Sequence, residues 1–148
     1  MTRSGILRAA PIWGLLVCML LVTLAASAEE VVGSGLQAAA DAGQVEVLTR
    51  NQDASIKETT IWIVLVGGEA FIRTGSTRWY GNIERDPNLV LRVDGNELPL
   101  RAELVMDEPL LERVHAAFRE KYGFTDRMIG WFRFGDSHIM RLVPREQQ

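Results

Sequence analysis

Cysteine is almost missing from this chain: Cys18 is the only one, and it falls in the amino-terminal apolar segment. Beyond that segment there is no disulfide, no thiol nucleophile and no thiolate metal ligand, so stability has to come from packing. Histidine is nearly as scarce. His115 and His138 are the only two, and with thiolates also missing they argue against a zinc site. An excess of positive charge is lacking too, because the formal net charge is −3 at pH 7. That balance disfavours nucleic acid and anionic membrane surfaces as partners. No repeat, low-complexity tract or linker is present. The carboxylates Glu97, Glu103 and Asp107 form no pair suited to acid–base chemistry, and neither histidine has a serine, cysteine or carboxylate at triad spacing. The catalytic residues are therefore unknown, and any catalysis would fall to a cofactor that the protein positions.

The amino terminus is informative. Arg3 and Arg8 precede an uncharged apolar run from Ile12 to Ala25, and Ala26-Ser27-Ala28 supplies small residues at the positions a signal peptidase needs. Residues 1–28 read as a secretory signal peptide cleaved near Ala28, which sends the protein to the periplasm or the exterior. The alternative is a retained anchor, since the run approaches the minimum spanning length of about 17 residues. Small residues and Glu29-Glu30 follow the run and speak against it. Val17 is too large to precede a lipidated Cys18. No twin-arginine pair precedes the run, which favours export of an unfolded chain that acquires any cofactor outside the cytoplasm. Cleavage removes Arg3 and Arg8, leaving 14 basic against 19 acidic residues and a net charge of −5. Residues 29–148 are enough for one domain with a real core, not two, with no stable membrane span left.

After a polar lead over 29–35, the alanines of Leu36–Ala42 favour a short helix ending near Gly43. Gln44–Leu48 alternates as a strand, Thr49–Lys57 reads as a loop, and Thr59–Val66 is β-branched and aromatic enough for a buried strand. Gly67-Gly68 turns it into Glu69–Arg73. Ser76 or Thr77 can cap a helix running to Arg85, which Asp86-Pro87 ends. Leu89–Val93 and Glu97–Val105 form a hairpin around Asp94-Gly95. Asp107, Glu108 and Pro109 open the longest helix, striped by Leu110, Leu111, Val114, Ala117, Phe118 and Tyr122 and closed by Gly123. Thr125–Phe132 reads as a further short helix and Ser137–Val143 as a last strand. About six strands without regular helix alternation give a mainly β (α+β) fold: a mainly antiparallel barrel with peripheral helices.

The segment from Phe71 to Leu104 carries a resemblance. The strand pair Ile61–Arg73, the Thr74–Arg78 turn, the helix with Asn82-Ile83, the Asp86-Pro87 break and Leu100-Arg101-Ala102-Glu103-Leu104 together resemble the split β-barrel superfamily. That superfamily includes the pyridoxamine-phosphate-oxidase-like flavoproteins and the deazaflavin-dependent nitroreductases. Arg78-Trp79-Tyr80 to Asp86-Pro87, followed by the Val-Asp-Gly hairpin, looks closest to the deazaflavin branch. The resemblance implies a homodimer that binds FMN or a deazaflavin at its interface and passes a hydride or electron pair to a small organic acceptor. Carried over, the cofactor-binding candidates are Arg73, Thr74, Ser76, Thr77 and Arg78, with Lys57 a second cation and Trp62 on the strand edging the ring pocket. A phosphate suits guanidinium forks, hydroxyls and free amides at a helix start. One departure stands out: where deazaflavin enzymes carry a Gly-Arg-Lys-Ser-Gly-type loop, this chain has Arg50-Asn51-Gln52-Asp53-Ala54-Ser55. The alternative is thus a non-enzymatic exported barrel that has lost the cofactor and binds another ligand or only dimerises. Haem held by His115 or His138 is a third option.

Plainer roles compete at each position. Thr77 and Ser76 can serve only as caps, Arg78 can be a solvated arginine, and Arg73 can pair with Glu69 or Glu84. Trp62, Trp79 and Tyr80 are of the type that fills a barrel of this size.

Overall fold

The structure, a computed structural model, describes residues 30–132 and 137–145, with the backbone alone over 124–132. The segment read as a signal peptide, and the expected cleavage near Ala28, lie outside the described residues. The chain divides after Val31, and the fold below is that of the second unit, Val32–Gln148.

Six strands, β1 (Gln44–Arg50), β2 (Ile56–Val66), β3 (Glu69–Thr74), β4 (Asn88–Val93), β5 (Asn96–Leu104) and β6 (His138–Pro144), form the sheet. Every pairing is antiparallel, and the order β1-β2-β3-β6-β5-β4 closes into a barrel. Helix α1 covers residues 30–42, α2 is Arg78–Arg85 and α3 is Glu108–Phe132. The alternation along each strand sends one face inward: Val45 and Val47, Ile61 and Ile63, Ala70 and Ile72, Leu89 and Leu91, Leu98 and Leu100, Met140 and Leu142 fill the interior.

The three helices close the barrel differently. Leu36 and Ala39 of α1 join the interior cluster at the end where β1 and β5 begin. The lead over 29–35 expected from its glycines is helical from residue 30, and Gly35 has a packing reason. A Cβ there would lie 2.7 Å from Leu98, so the residue is small to let helix and strand meet. Helix α2 closes the opposite end with Trp79 and Ile83. Helix α3 lies on the outer face of β2, β3 and β6, where Val114 and Phe118 pack on Val64, Phe71 and Ile139. Asp107 caps α3 through its carboxylate, which accepts from Leu110 N at 2.9 Å. Gly123, at φ 53° and ψ −121°, breaks it into the two helices read from the sequence.

β2 outruns β1, whose pairing ends at Gln44 opposite Trp62. Beyond that point α3 supplies the partners. The Tyr122 hydroxyl accepts from Ile63 N at 3.1 Å and donates to Gly43 O at 2.5 Å, and Lys121 Nζ donates to Ile63 O at 2.8 Å and to Ala40 O. Backbone groups left by the shorter strand are thereby satisfied.

Candidate functional site

The sequence around Thr77 makes a helix start, and the structure shows how. Thr77 is extended (φ −106°, ψ 166°), and its hydroxyl accepts from Tyr80 N at 3.4 Å. Arg78 is the first helical residue and is exposed. Four residues on, Asn82 points inward and is 3% exposed, donating through Nδ2 to Thr49 Oγ1 at 3.0 Å and Asn51 Oδ1 at 2.9 Å. A buried amide needs such partners. One amide thus ties α2 to the end of β1 and to the β1–β2 loop.

The loop is itself closed. Asp53 Oδ1 accepts from Ser55 N at 3.0 Å and Ser55 Oγ at 2.5 Å, and Asn51 Nδ2 donates to Ser55 Oγ at 2.9 Å. The Ser55 hydroxyl and amide hold the Asp53 carboxyl below the usual carboxylate range, with Arg78 adding a smaller pull. Arg85 fastens the far side, donating to Arg50 O at 3.0 Å and Asn82 Oδ1 at 3.0 Å. Between loop and helix lies an open cleft of about 470 Å³ lined by Asn51, Gln52, Asp53, Arg78, Gly81, Asn82 and Arg85. Gly81 leaves its floor clear, since a Cβ there would meet nothing within 4 Å.

Of the residues anticipated from the sequence, Arg78 alone lines this cleft. Thr74 and Thr77 come together, with Oγ1 atoms 3.1 Å apart, and Thr74 Oγ1 donates to Gly75 O at 2.9 Å. Thr74 is buried and Ser76 exposed. Arg73 leaves this group: its guanidinium carbon lies 4.8 Å over the Phe118 ring, on the outer face beneath α3. Lys57 is exposed on β2 opposite Thr49. Trp62 stacks on Tyr122 at 4.5 Å and 8° and packs against the cluster beneath α3. The turn therefore does not gather Arg73 and Arg78 around one anion. Strand alternation is the reason, since Arg73 follows Phe71 to the outer face while Thr74 follows Ile72 inward.

Asn51, Gln52, Asp53, Asn82 and Arg85 were not anticipated as site residues. The signal was there: Arg78, Gly81, Asn82 and Arg85 recur at three- and four-residue spacing on one helix face, and the loop replaces the glycine-bearing one of the resembling family. Of the histidines, His138 stacks on Tyr80 at 4.0 Å and 4°. His115 is half-buried, and burial, then Arg73 and Arg119, hold its pKa below the usual imidazole value. Among the described residues no cluster could hold a metal ion, and no helix is long and apolar enough to cross a membrane.

Comparison with known proteins gives the following. The family described as uncharacterized protein conserved in bacteria (DUF2255) matches residues 35–132. No curated protein matches the chain. Among solved structures, a conserved hypothetical protein from Mycobacterium tuberculosis is 21% identical with a TM-score of 0.56, covering 70% of this chain and 73% of that one. A Listeria innocua protein named for pyridoxamine 5′-phosphate oxidase is 20% identical with a TM-score of 0.55, covering 78% and 94%. The heme storage protein HutZ from Vibrio cholerae is 12% identical with a TM-score of 0.56, covering 75% and 87%. Likeness at these identities establishes the split-barrel fold.

Proposed function

The chain belongs to the DUF2255 family of bacterial proteins, and from that premise we propose that it is an exported split-barrel binding protein whose cleft between the β1–β2 loop and α2 holds a small anionic organic ligand. The observation that carries this reading is Arg78. Its guanidinium lines the cleft, and among the described residues no hydrogen bond or ion pair engages it. An exposed, unengaged guanidinium beside the amides of Asn51, Gln52 and Asn82 suits a carboxylate or similar anion. Export after cleavage near Ala28 and assembly as a homodimer belong to the same proposal. The outer face of β1, β4 and β5, away from the α3 packing on β2, β3 and β6, is the surface offered to the second copy, and sedimentation of the mature chain tests it.

FMN and the deazaflavins are the groups the fold family brings to mind, and the turn fits them incompletely. The Thr74 and Thr77 hydroxyls bond to each other, Arg73 lies over Phe118 on the outer face and outside the cleft, and Asp53 brings a negative charge to the cleft beside Arg78. A dianionic phosphate would meet Arg78, an Arg85 already donating to Gly81 O, Arg50 O and Asn82 Oδ1, and one opposing carboxylate. We derive no redox step from this arrangement. The oxidoreductase reading rests on the likeness to the Listeria protein, and the visible spectrum of protein isolated from its native host, before and after adding FMN, decides it.

Calorimetric titration of the mature chain with short carboxylates and inorganic phosphate tests the binding reading. Saturable binding by a carboxylate is expected, weakened about tenfold or more by Arg78→Gln, the scale of one charge-assisted hydrogen bond. Binding indifferent to Arg78→Gln would place the ligand elsewhere.

A further inference from the structure

The cleft holds more than an anion subsite, and its second charge points to the ligand's chemistry. Asp53 and Arg78 line the same cleft and feel each other electrostatically, yet no ion pair joins them. In solution two such side chains would be free to meet. Here Asp53 is held in place: its Oδ1 is pinned by the Ser55 amide and hydroxyl, and the loop is pinned in turn by Asn82 through Asn51. Arg78 stands at the start of a helix capped by Thr77. Asp53 Oδ2 accepts no hydrogen bond from a described residue, and the Arg78 guanidinium donates none.

The remaining wall is neutral or occupied. Asn51, Gln52 and Asn82 contribute amides, Gly81 leaves open floor, and Arg85 already donates to Gly81 O, Arg50 O and Asn82 Oδ1. One free cation and one free carboxylate oxygen therefore face a shared volume of about 470 Å³. A dianion entering it meets the Asp53 charge, and a simple cation meets Arg78. A molecule with an anionic group at one end and a protonated amine at the other satisfies both.

Resting on the anion-binding reading above, we propose that the natural ligand is zwitterionic, its carboxylate held by Arg78 and its ammonium by Asp53, with the Asn51 and Asn82 amides between them. This accounts for an acid in a loop where a phosphate binder would carry glycines and cations. The loop's internal hydrogen bonds present that carboxylate to the cleft.

The test follows amide spectra of the nitrogen-labelled mature chain titrated with three series of three chain lengths each: γ-aminobutyrate, δ-aminovalerate and ε-aminocaproate; butyrate, valerate and caproate; butylamine, pentylamine and hexylamine. Three lengths remove the dependence on the span between the two charges. At least one ω-amino acid is expected to bind at least about tenfold more tightly than its carboxylate and amine counterparts. Arg78→Gln and Asp53→Asn are each expected to abolish that advantage. Asparagine keeps the oxygen that accepts from Ser55, so the loop fold survives. Should a plain carboxylate bind as tightly as the best ω-amino acid, with Asp53→Asn leaving or improving it, the dipolar ligand is wrong while the anion cleft stands. If no series moves the Asn51, Gln52, Gly81 or Asn82 amides, both readings fall.

Discussion

At the scale of single residues, Asn82 joins fold and site. It is the one buried polar side chain of α2, and its amide is shared among Thr49, Asn51 and Arg85. Asn82→Ala would orphan Thr49 Oγ1 and release the loop. A loss of about 1–3 kcal/mol is expected in urea unfolding, with faster amide exchange over 51–55, and an unchanged midpoint would show the network to be idle. Nothing in the sequence distinguished this asparagine from a solvated one, because its partners lie 31 and 33 residues away. His115 gives a second prediction. Its folded pKa is lowered by burial and by Arg73 and Arg119, so the folded state favours the neutral imidazole more than the unfolded chain does. Its contribution to stability is therefore present above the ordinary imidazole value of about 6.5 and is lost as pH falls below it. Lowering pH from about 7.5 to about 5.5 should destabilise the wild type more than His115→Gln. Equal losses would mean that His115 is not responsible. Arg73 and Arg78 are parted for a local reason: the turn sequence is contiguous, but strand alternation sends Arg73 to the outer face over Phe118.

At the scale of elements, most of the fold was legible. The hairpins at Gly67-Gly68 and Asp94-Gly95, the Thr77 cap, the Asp86-Pro87 stop and the Asp107 cap each rest on local backbone chemistry, which the sequence displays directly. Helix α1 was misread at its start because Gly33 and Gly35 look like a lead when the residue that Gly35 touches is Leu98, far along the chain. In an isolated helix, alanine in place of that glycine would gain about 1 kcal/mol. In this protein Gly35→Ala should instead destabilise, since its Cβ would stand 2.7 Å from Leu98. Paired with Leu98→Ala, the same change should recover part of that loss relative to Leu98→Ala alone. A stabilised single variant in thermal unfolding would refute the close contact. Tyr122, a member of the apolar stripe, and its neighbour Lys121 complete the hydrogen bonding of β2 where β1 runs out, a role that stripe spacing does not reveal.

For the whole molecule, the number of strands and their antiparallel sense could be read, but not the insertion of β6 between β3 and β5, which depends on pairings across half the chain. Closure removes free sheet edges, so a partner or ligand has to use faces and ends. One end is taken by α1, one face by α3, and the other end carries α2 and its cleft. The acidic surface is tied down by its arginines: Arg92 bridges Glu46, Glu58 and Glu97, and Arg141 bridges Glu69 and Glu103. Such part-exposed pairs contribute little stability each, and they leave Arg78 as an unengaged guanidinium at the cleft. Whether that cleft is where the proposed ligand sits is decided most directly by a crystal structure of residues 29–148 soaked with the tightest-binding short carboxylate. Density for the ligand is expected between Arg78 and the 51–53 loop, with its carboxylate on the guanidinium. Density on the outer face of β1, β4 and β5 or beneath α3, with the cleft holding only solvent, would contradict the assignment.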